Sequence, residues 1–187
     1  MKLDIEKIKS GKGQAIIVNS GNANACTGRK GLEDAAETAS LTAKNLKINP
    51  SLVYVCSTGV IGTPMPMEKI KAAIPVLTAN LGRSSLRDIA SAIMTTDTFP
   101  KVITKKVRIE NRTGTIAGIC KGAGMIAPNM ATMLCFILTD IAVEKRTLIR
   151  AIKDSVKNKE GRAVIMPAYN RRALCHDIVF INKMLCG

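Results

Sequence analysis

Short apolar runs, typical of buried strands, alternate along this sequence with apolar stripes at helical spacing, and this alternation restricts the fold most. Strands are predicted at residues 15–18, 52–56, 102–109, 115–120, 132–138 and 178–181, with a hairpin turn at 111–114. Helices are predicted at residues 32–46, 67–81, 85–94 and 148–156. Pro75 is expected to kink the second helix, and Ser84 or Ser85 to cap the third. The pattern predicts a mixed α/β fold whose helices cover one face of each sheet.

The length of 187 residues and the 47% apolar content suit one domain with a buried core, which we expect to span residues 1–187. The longest apolar run, residues 133–138, is far shorter than the ~20 residues that cross a bilayer. The charged start of the chain lacks the apolar centre of a signal peptide. These features predict a soluble cytoplasmic protein that does not bind a membrane.

The chain is strongly basic, with 28 lysines and arginines against 14 acids and a formal net charge of +14. Such a charge attracts anions of any kind, from nucleic acid to small dicarboxylates. The basic residues are scattered, however, and 3% aromatic content supplies few rings for base stacking. A solvated basic surface is therefore the preferred interpretation, and a small nucleic-acid-binding protein is kept as an alternative.

The six cysteines form no C-x-x-C pair, and His176 is the only histidine of the sequence. This spacing does not suit a structural zinc site, so no metal is expected. Cys56 and Cys135 fall inside apolar runs, where a thiol packs like a small apolar side chain. Reduced cytosolic thiols are expected.

Four segments of small polar residues fall where predicted strands end: NSGNANACTG (19–28), STGVIG (57–62), TTDT (95–98) and KGAGMIAPNMATM (121–133). Each segment, taken alone, is explained by a turn. The fourth runs into a predicted strand through Thr132, whose hydroxyl is a nucleophile only beside a base. Cutting the bond before Thr132 would supply that base, because an α-amine titrates near pH 8. A structural threonine at the start of a strand is the simpler alternative.

The four segments, in this order, closely resemble those of the ornithine acetyltransferase (bifunctional glutamate N-acetyltransferase) family of arginine biosynthesis. The resemblance runs from about residue 14 to about residue 156 and resumes at 178–181. It implies an α/β sandwich of layered sheets and helices, here incomplete. It also implies a precursor that cuts itself between Ala131 and Thr132, giving residues 1–131 and 132–187.

The resemblance also implies roles for individual residues. Thr132 would accept the acetyl group, with its own freed amine as the base, and Thr58 and Gly59 would form the oxyanion hole. Thr95, Lys121 and Thr132 match positions that bind substrate in the family. The implied reaction is ping-pong transfer of acetyl from N2-acetylornithine to glutamate through an acetyl-threonine.

The family uses no cofactor, although some members accept acetyl-CoA as a donor, and its assembly is a heterotetramer of two cleaved protomers. An amidase or aminopeptidase that uses an N-terminal threonine remains an alternative, but the ATML context favours acetyl transfer.

The sequence departs from the family pattern in two ways. Family members extend well beyond both ends of this chain, so we expect a truncated form with little or no acetyltransferase activity. In addition, residues 161–177 replace an acidic segment, with Arg171 and Arg172 where acids are expected. A disturbed reading frame or a degenerate copy is our hypothesis for that stretch, and divergence toward a new role is the alternative.

Overall fold

A computed structural model of the chain describes residues 2–122, 134–157 and 178–181. The strands are β1 (Ala15–Asn22), β2 (Val53–Val60), β3 (Lys101–Ile109), β4 (Arg112–Lys121), β5 (Leu134–Thr139) and β6 (Ile178–Ile181). The helices are α1 (Lys2–Lys7), α2 (Gly28–Leu46), α3 (Met67–Ala79), α4 (Leu86–Ala92) and α5 (Lys145–Lys157).

The strands of the described residues form two separate three-stranded sheets. The first has the order β2-β1-β6 and is parallel, with Ala15 opposite Val53 and Ile16 opposite Ile178. The second has the order β3-β4-β5 and is antiparallel. The helices between the parallel strands supply the crossover connections that such strands require. The mixed α/β class expected from the sequence is confirmed.

The two faces of the first sheet pack against different partners, because successive side chains of a strand point to opposite faces. On one face, Ile17 joins a cluster with residues of α2 and α3. On the other face, Val18 joins Ala90 and Ile93 of the α4 segment together with Ile119 and Phe136 of the second sheet. The first sheet therefore lies between a helical layer and a layer made of α4 and the second sheet.

Strands β1 and β2 both continue about four residues beyond the ends predicted at residues 18 and 56. The prediction was wrong there because the polar residues that follow resemble a turn. In the structure, Asn19 and Ser20 are buried within β1, and their side chains find backbone acceptors. Asn19 donates to the carbonyl of Asn22 at 2.8 Å, and Ser20 donates to the carbonyl of Ala92 at 2.6 Å. Polar side chains can lie in the interior of a strand when their hydrogen bonds are satisfied in this way.

The remaining boundaries differ less from the predictions. Helix α2 begins at Gly28, four residues before its first predicted residue, and α3 passes through Pro75 to Ala79. Ser85 caps α4 in a capping box with Asp88, as one of the two predicted caps.

The β3–β4 turn is tighter than predicted, since β3 ends at residue 109 and β4 begins at residue 112. Strand β6 has its predicted bounds. The start of the strand predicted at 132–138 and the divergent segment 161–177 lie outside the described residues.

In the part of the chain that the structure describes, we find no helix with the length and apolar character needed to span a bilayer.

Gly59 of β2 lies opposite Gly21 of β1. Its φ of 132° is unfavourable for other residues, and a Cβ there would overlap the backbone of Gly21 and Asn22. Gly62 also has a positive φ, 81°, but a Cβ at that position would meet open space.

We therefore expect Gly59→Ala to destabilise the fold more than Gly62→Ala. Both substitutions carry a backbone cost of about 1–3 kcal/mol, and Gly59→Ala adds about 1–3 kcal/mol for overpacking. The free energies of unfolding, measured in urea, test this. Equal losses of unfolding free energy in the two variants would contradict this prediction. They would show that β1 and β2 can move apart at residue 59 without a cost in stability.

Candidate functional site

The polar cluster of this protein lies where strands of both sheets end. Thr58 and Gly59 are near the carboxyl end of β2, Lys121 is the last residue of β4, and Thr95 follows α4. In open α/β sheets, ligands bind outside the carboxyl ends of parallel strands. Packing of the second sheet on α4 and β1 brings the end of β4 to this edge.

Lys121 connects the cluster. Its ammonium donates to the hydroxyl oxygen of Thr58 at 3.0 Å and to that of Thr95 at 2.5 Å. Lys121 is only 4% exposed, and Thr58 is fully buried. The structure thus brings together three of the residues that the sequence singled out, with Gly59 next to Thr58 in the chain.

Burial lowers the pKa of Lys121 from its ordinary value, because a charged ammonium loses its water, while the negative charge of Asp97 acts in the opposite direction. A buried ammonium attracts oxygen atoms of partial or full negative charge more strongly than a solvated one. The cluster is therefore suited to hold a carbonyl or carboxylate oxygen of a ligand.

Asp97 belongs to the site but was missed by the sequence analysis, although it lies in the TTDT segment. Its buried carboxylate accepts hydrogen bonds from the Lys101 ammonium at 2.7 Å and from the Gly122 amide at 2.6 Å. The amide of Thr95 donates at 3.4 Å. Asp97 therefore fixes the positions of Thr95 and Gly122 on either side of Lys121.

Burial disfavours the charged form of Asp97, but the hydrogen bonds from Lys101, Gly122 and Thr95 outweigh it and lower its pKa. The sequence signal was an acid among three threonines, of which only Thr95 was singled out. The sequence analysis assigns the basic residues to a scattered, solvated surface. The Lys101 ammonium instead forms an ion pair with the buried carboxylate of Asp97.

The first polar segment, residues 19–28, holds the ends of β1 and β2 together. The amide of Asn24 donates to the Ser57 hydroxyl at 2.8 Å, and its side chain donates to the carbonyl of Gly31 at 2.7 Å. The side chain of Asn22 donates to the carbonyl of Thr63 at 3.2 Å. These bonds position the loop after β2 without placing a charged group in the site.

Ala131 and Thr132 lie outside the described residues, but the structure describes both ends of the segment that contains them. Gly122 is held by Asp97, and Leu134 lies opposite Lys121 in the β4–β5 pair. Gly122 and Leu134, the described residues that flank this segment, therefore both lie beside Lys121. Among the described residues, no group of three or more His, Cys, Asp or Glu side chains is arranged to hold a metal.

The fold and this edge define a layered α/β protein with a buried lysine–threonine site at its strand ends. Residues 1–159 match the model of the ArgJ family, and the chain belongs to that family. The match ends just before the divergent segment. The resemblance noted in the sequence is thereby confirmed.

Two curated relatives, both named arginine biosynthesis bifunctional protein ArgJ, illustrate the match. The protein from Caldanaerobacter subterraneus is 55% identical over 154 residues, covering 82% of this chain and 38% of the relative. The protein from Geobacter sulfurreducens is 56% identical over 158 residues, covering 81% and 38%. The chain thus spans about two fifths of the length of these relatives.

Two solved structures are similar to the chain. The crystal structure of arginine biosynthesis bifunctional protein ArgJ from Bacillus halodurans is 40% identical, with a TM-score of 0.61, and the match covers 70% of this chain and 69% of that one. The structure of ornithine acetyltransferase complexed with ornithine from Mycobacterium tuberculosis is 34% identical, with a TM-score of 0.59, covering 68% of each chain.

We expect Asp97→Asn to destabilise the fold at pH 7 by about 1.5–3 kcal/mol, because it removes the charge from a buried hydrogen-bonded group. The exposed Glu68→Gln is the control and is expected to change stability by less than about 0.5 kcal/mol.

The effect of Asp97→Asn depends on pH. The pKa of Asp97 is lower in the folded than in the unfolded chain, where it is about 3.9. Its stabilisation is therefore complete above that unfolded value and is lost as the pH falls through the folded value. Urea unfolding at a series of pH values should show a constant gap between the two proteins from pH 7 to about 5 that narrows below about pH 4. A gap independent of pH would contradict this role for the carboxylate.

Proposed function

We propose that the chain carries an acyl-transfer site that moves acetyl from N2-acetylornithine to glutamate through an acetyl-threonine at Thr132. The observation that supports this most is the bonding of Lys121 to both Thr58 and Thr95. Lys121 also lies opposite Leu134, the first described residue after Thr132. The relatives' names point to arginine biosynthesis, and one solved neighbour is an ornithine acetyltransferase with bound ornithine.

In this proposal, cleavage between Ala131 and Thr132 frees an α-amine that titrates near pH 8 and serves as the base for the Thr132 hydroxyl. The hydroxyl oxygen attacks the acetyl carbonyl, and the collapsing intermediate expels ornithine, whose amine takes a proton. The amine of glutamate then attacks the acetyl-threonine and leaves as N-acetylglutamate. No cofactor enters these steps, and acetyl-CoA is an alternative donor.

Thr58 and Gly59 are proposed to stabilise the negative charge that develops on the acetyl oxygen. Thr58 accepts a hydrogen bond from the Lys121 ammonium, which polarises its hydroxyl and makes it a stronger donor. Removing one such donor in acyl-transfer enzymes costs ~10²–10³ in rate. The positive φ of Gly59, which glycine adopts without strain, sets the direction of its own N–H, and any side chain there would disturb it.

Lys121 and Thr95 are proposed to bind the substrate. The buried positive charge of Lys121 suits the carboxylate that both N2-acetylornithine and glutamate carry, and the net charge of +14 attracts such anions.

The two pieces of the cleaved chain are proposed to stay together. Strand β5 comes from residues 132–187 and pairs with β4 of residues 1–131, and β6 pairs likewise with β1. Each sheet thus contains strands from both pieces. A heterotetramer of two cleaved protomers in the cytoplasm completes the proposal.

Self-cleavage is expected in the purified chain. Intact-mass spectrometry and denaturing gel electrophoresis should show pieces 1–131 and 132–187 for the wild-type protein and one uncut chain for Thr132→Ala. Thr132→Ser keeps a hydroxyl and should restore the cut. A folded wild-type chain that stays unbroken at residue 131 would overturn the proposed chemistry.

The second test of the proposed chemistry is direct detection of the acetyl-threonine. Complete turnover to N-acetylglutamate is expected to be weak or absent, since the chain spans about two fifths of the length of its curated relatives. The first half-reaction is the test: incubation of the cleaved chain with N2-acetylornithine should add one acetyl group to the piece 132–187. We expect Lys121→Met, which keeps the aliphatic stem, to slow this acetylation ~10²-fold or more, since it removes the charge that orders Thr58 and Thr95.

Lys105→Met, an exposed position on β3, is the matched control and should react like the wild type. Acetate release without an acetylated piece would favour a hydrolase instead, and equal rates for the two variants would remove Lys121 from the site.

A further inference from the structure

Two cysteines lie directly opposite each other on the outer face of the second sheet. Cys120 of β4 pairs in register with Cys135 of β5. Their neighbours Ile119 and Phe136 point to the opposite face and are buried in the core. Both thiols are half-buried, and neither is part of the lysine–threonine cluster.

The distance between the two strands suits a covalent bond between these residues. Directly opposed residues of an antiparallel pair have Cα atoms about 4.5–5.5 Å apart, and a disulfide joins Cα atoms about 4.4–6.8 Å apart. The Cys120 thiol donates a hydrogen bond to the carbonyl of Lys121 at 3.7 Å, which formation of a disulfide would remove. The register of the two strands therefore allows a disulfide between Cys120 and Cys135.

The thiols are accessible to small molecules. They line an open groove on the outer face with Phe99, Lys101, Ile103 and Ile137, and the last two of these are exposed apolar side chains. Cys56 is half-buried as well, but desolvation raises its pKa to about 12, so its thiol is inert.

The surroundings divide the pair into one reactive and one protonated thiol. The hydrogen bond from Cys135 lowers the pKa of Cys120 to about 7, against the effect of burial. The ammonium groups of Lys101 and Lys121 act in the same direction, and Asp97 acts against them. The pKa of Cys135 is raised, first by its hydrogen bond to Cys120 and then by burial. At neutral pH, a large part of Cys120 is thiolate, the form that reacts with peroxides.

We propose that Cys120 and Cys135 form a redox-sensitive dithiol that closes to a cross-strand disulfide when the protein meets a hydroperoxide. The Cys120 thiolate attacks the hydroxyl oxygen of the peroxide, and the O–O bond breaks, giving a sulfenic acid. The leaving hydroxide or alkoxide takes a proton from solvent and departs as water or an alcohol. The thiol of Cys135 then loses its proton and attacks the Cys120 sulfur, and the S–O bond breaks to release water. The two sulfurs lose two electrons, which reduce the peroxide.

The second step is helped by the first. Cys135 holds its proton mainly because Cys120 is a neighbouring thiolate, and a neutral sulfenic acid no longer has that effect. Reduced cytosolic thiols are consistent with this proposal, because disulfides of that compartment are transient and sense redox state.

The position of the pair gives the disulfide a structural consequence. Cys120 precedes Lys121, and Cys135 follows Leu134, which lies opposite Lys121. A bond between them would enclose residues 121–134 in a covalent ring in the uncut chain, and it would link the pieces 1–131 and 132–187 after cleavage. The proposal needs neither self-cleavage nor acetyl transfer, so its test is independent of theirs.

The first experiment treats the reduced 187-residue chain with hydrogen peroxide, blocks the remaining thiols with an alkylating reagent and maps the peptides without reduction. The expected result is a mass loss of two hydrogens and a linked peptide pair containing Cys120 and Cys135, reversed by dithiothreitol. Cys26→Ser, which removes an exposed cysteine, is the control and should behave like the wild type. Linkage of Cys120 to any other cysteine, or loss of Cys120 reactivity with Cys135 still open to alkylation, would overturn the proposal.

The second experiment follows the rate of Cys120 alkylation against pH. The wild-type rate should rise with a midpoint near pH 7. Cys135→Ser keeps a hydrogen-bond donor and should keep this midpoint, while peroxide leaves Cys120 as a sulfenic acid that a dimedone reagent labels. Cys135→Ala removes the donor and should move the midpoint upward. An unchanged midpoint in Cys135→Ala would show that the pair does not interact, and that result would also overturn the proposal.

Discussion

Burial of the Lys121 ammonium is the constraint around which the rest of this edge is organised. A charged group taken out of water carries a cost of several kcal/mol that only close, well-directed partners offset. Here the partners are the hydroxyls of Thr58 and Thr95, with the negative charge of Asp97 nearby. Thr58 comes from β2, whereas Thr95 and Asp97 share the segment after α4, so the layers must be assembled before the ammonium can be accommodated. A site of this kind is costly for stability, which is typical of positions kept for function.

Asp97 is a counterpart of Lys121 in the construction of the site. Its carboxylate is held by another lysine and by two backbone amides, and these bonds keep it ionised. The negative charge in turn favours the ammonium of Lys121. The site therefore combines a lysine whose charge is opposed by burial with an acid whose charge is secured by hydrogen bonds. Such divided environments are how proteins set different protonation states within a few ångströms.

The sequence predicted the fold class, most elements and three members of the cluster, but for different reasons. Apolar periodicity predicted the strands and helices, and it was wrong at the ends of β1 and β2 because Asn19 and Ser20 are buried with partners that no local pattern reveals. Thr58, Thr95 and Lys121 came from resemblance to a family. Asp97 was missed because its role depends on Lys101 and Gly122, which only the folded chain brings to it.

The later strands complete one sheet each. Strand β5 is the outer neighbour of β4, and β6 is the outer neighbour of β1, although β1 ends at residue 22 and β6 begins only at residue 178. During synthesis on the ribosome, the edge of β1 that pairs with β6 therefore stays open until β6 emerges. Pairing across so long a stretch of sequence is slow, and exposed edges favour association with other chains. Folding of this protein therefore depends on how soon the late strand pairs. Until it does, chaperones must protect the open edge of the sheet from aggregation.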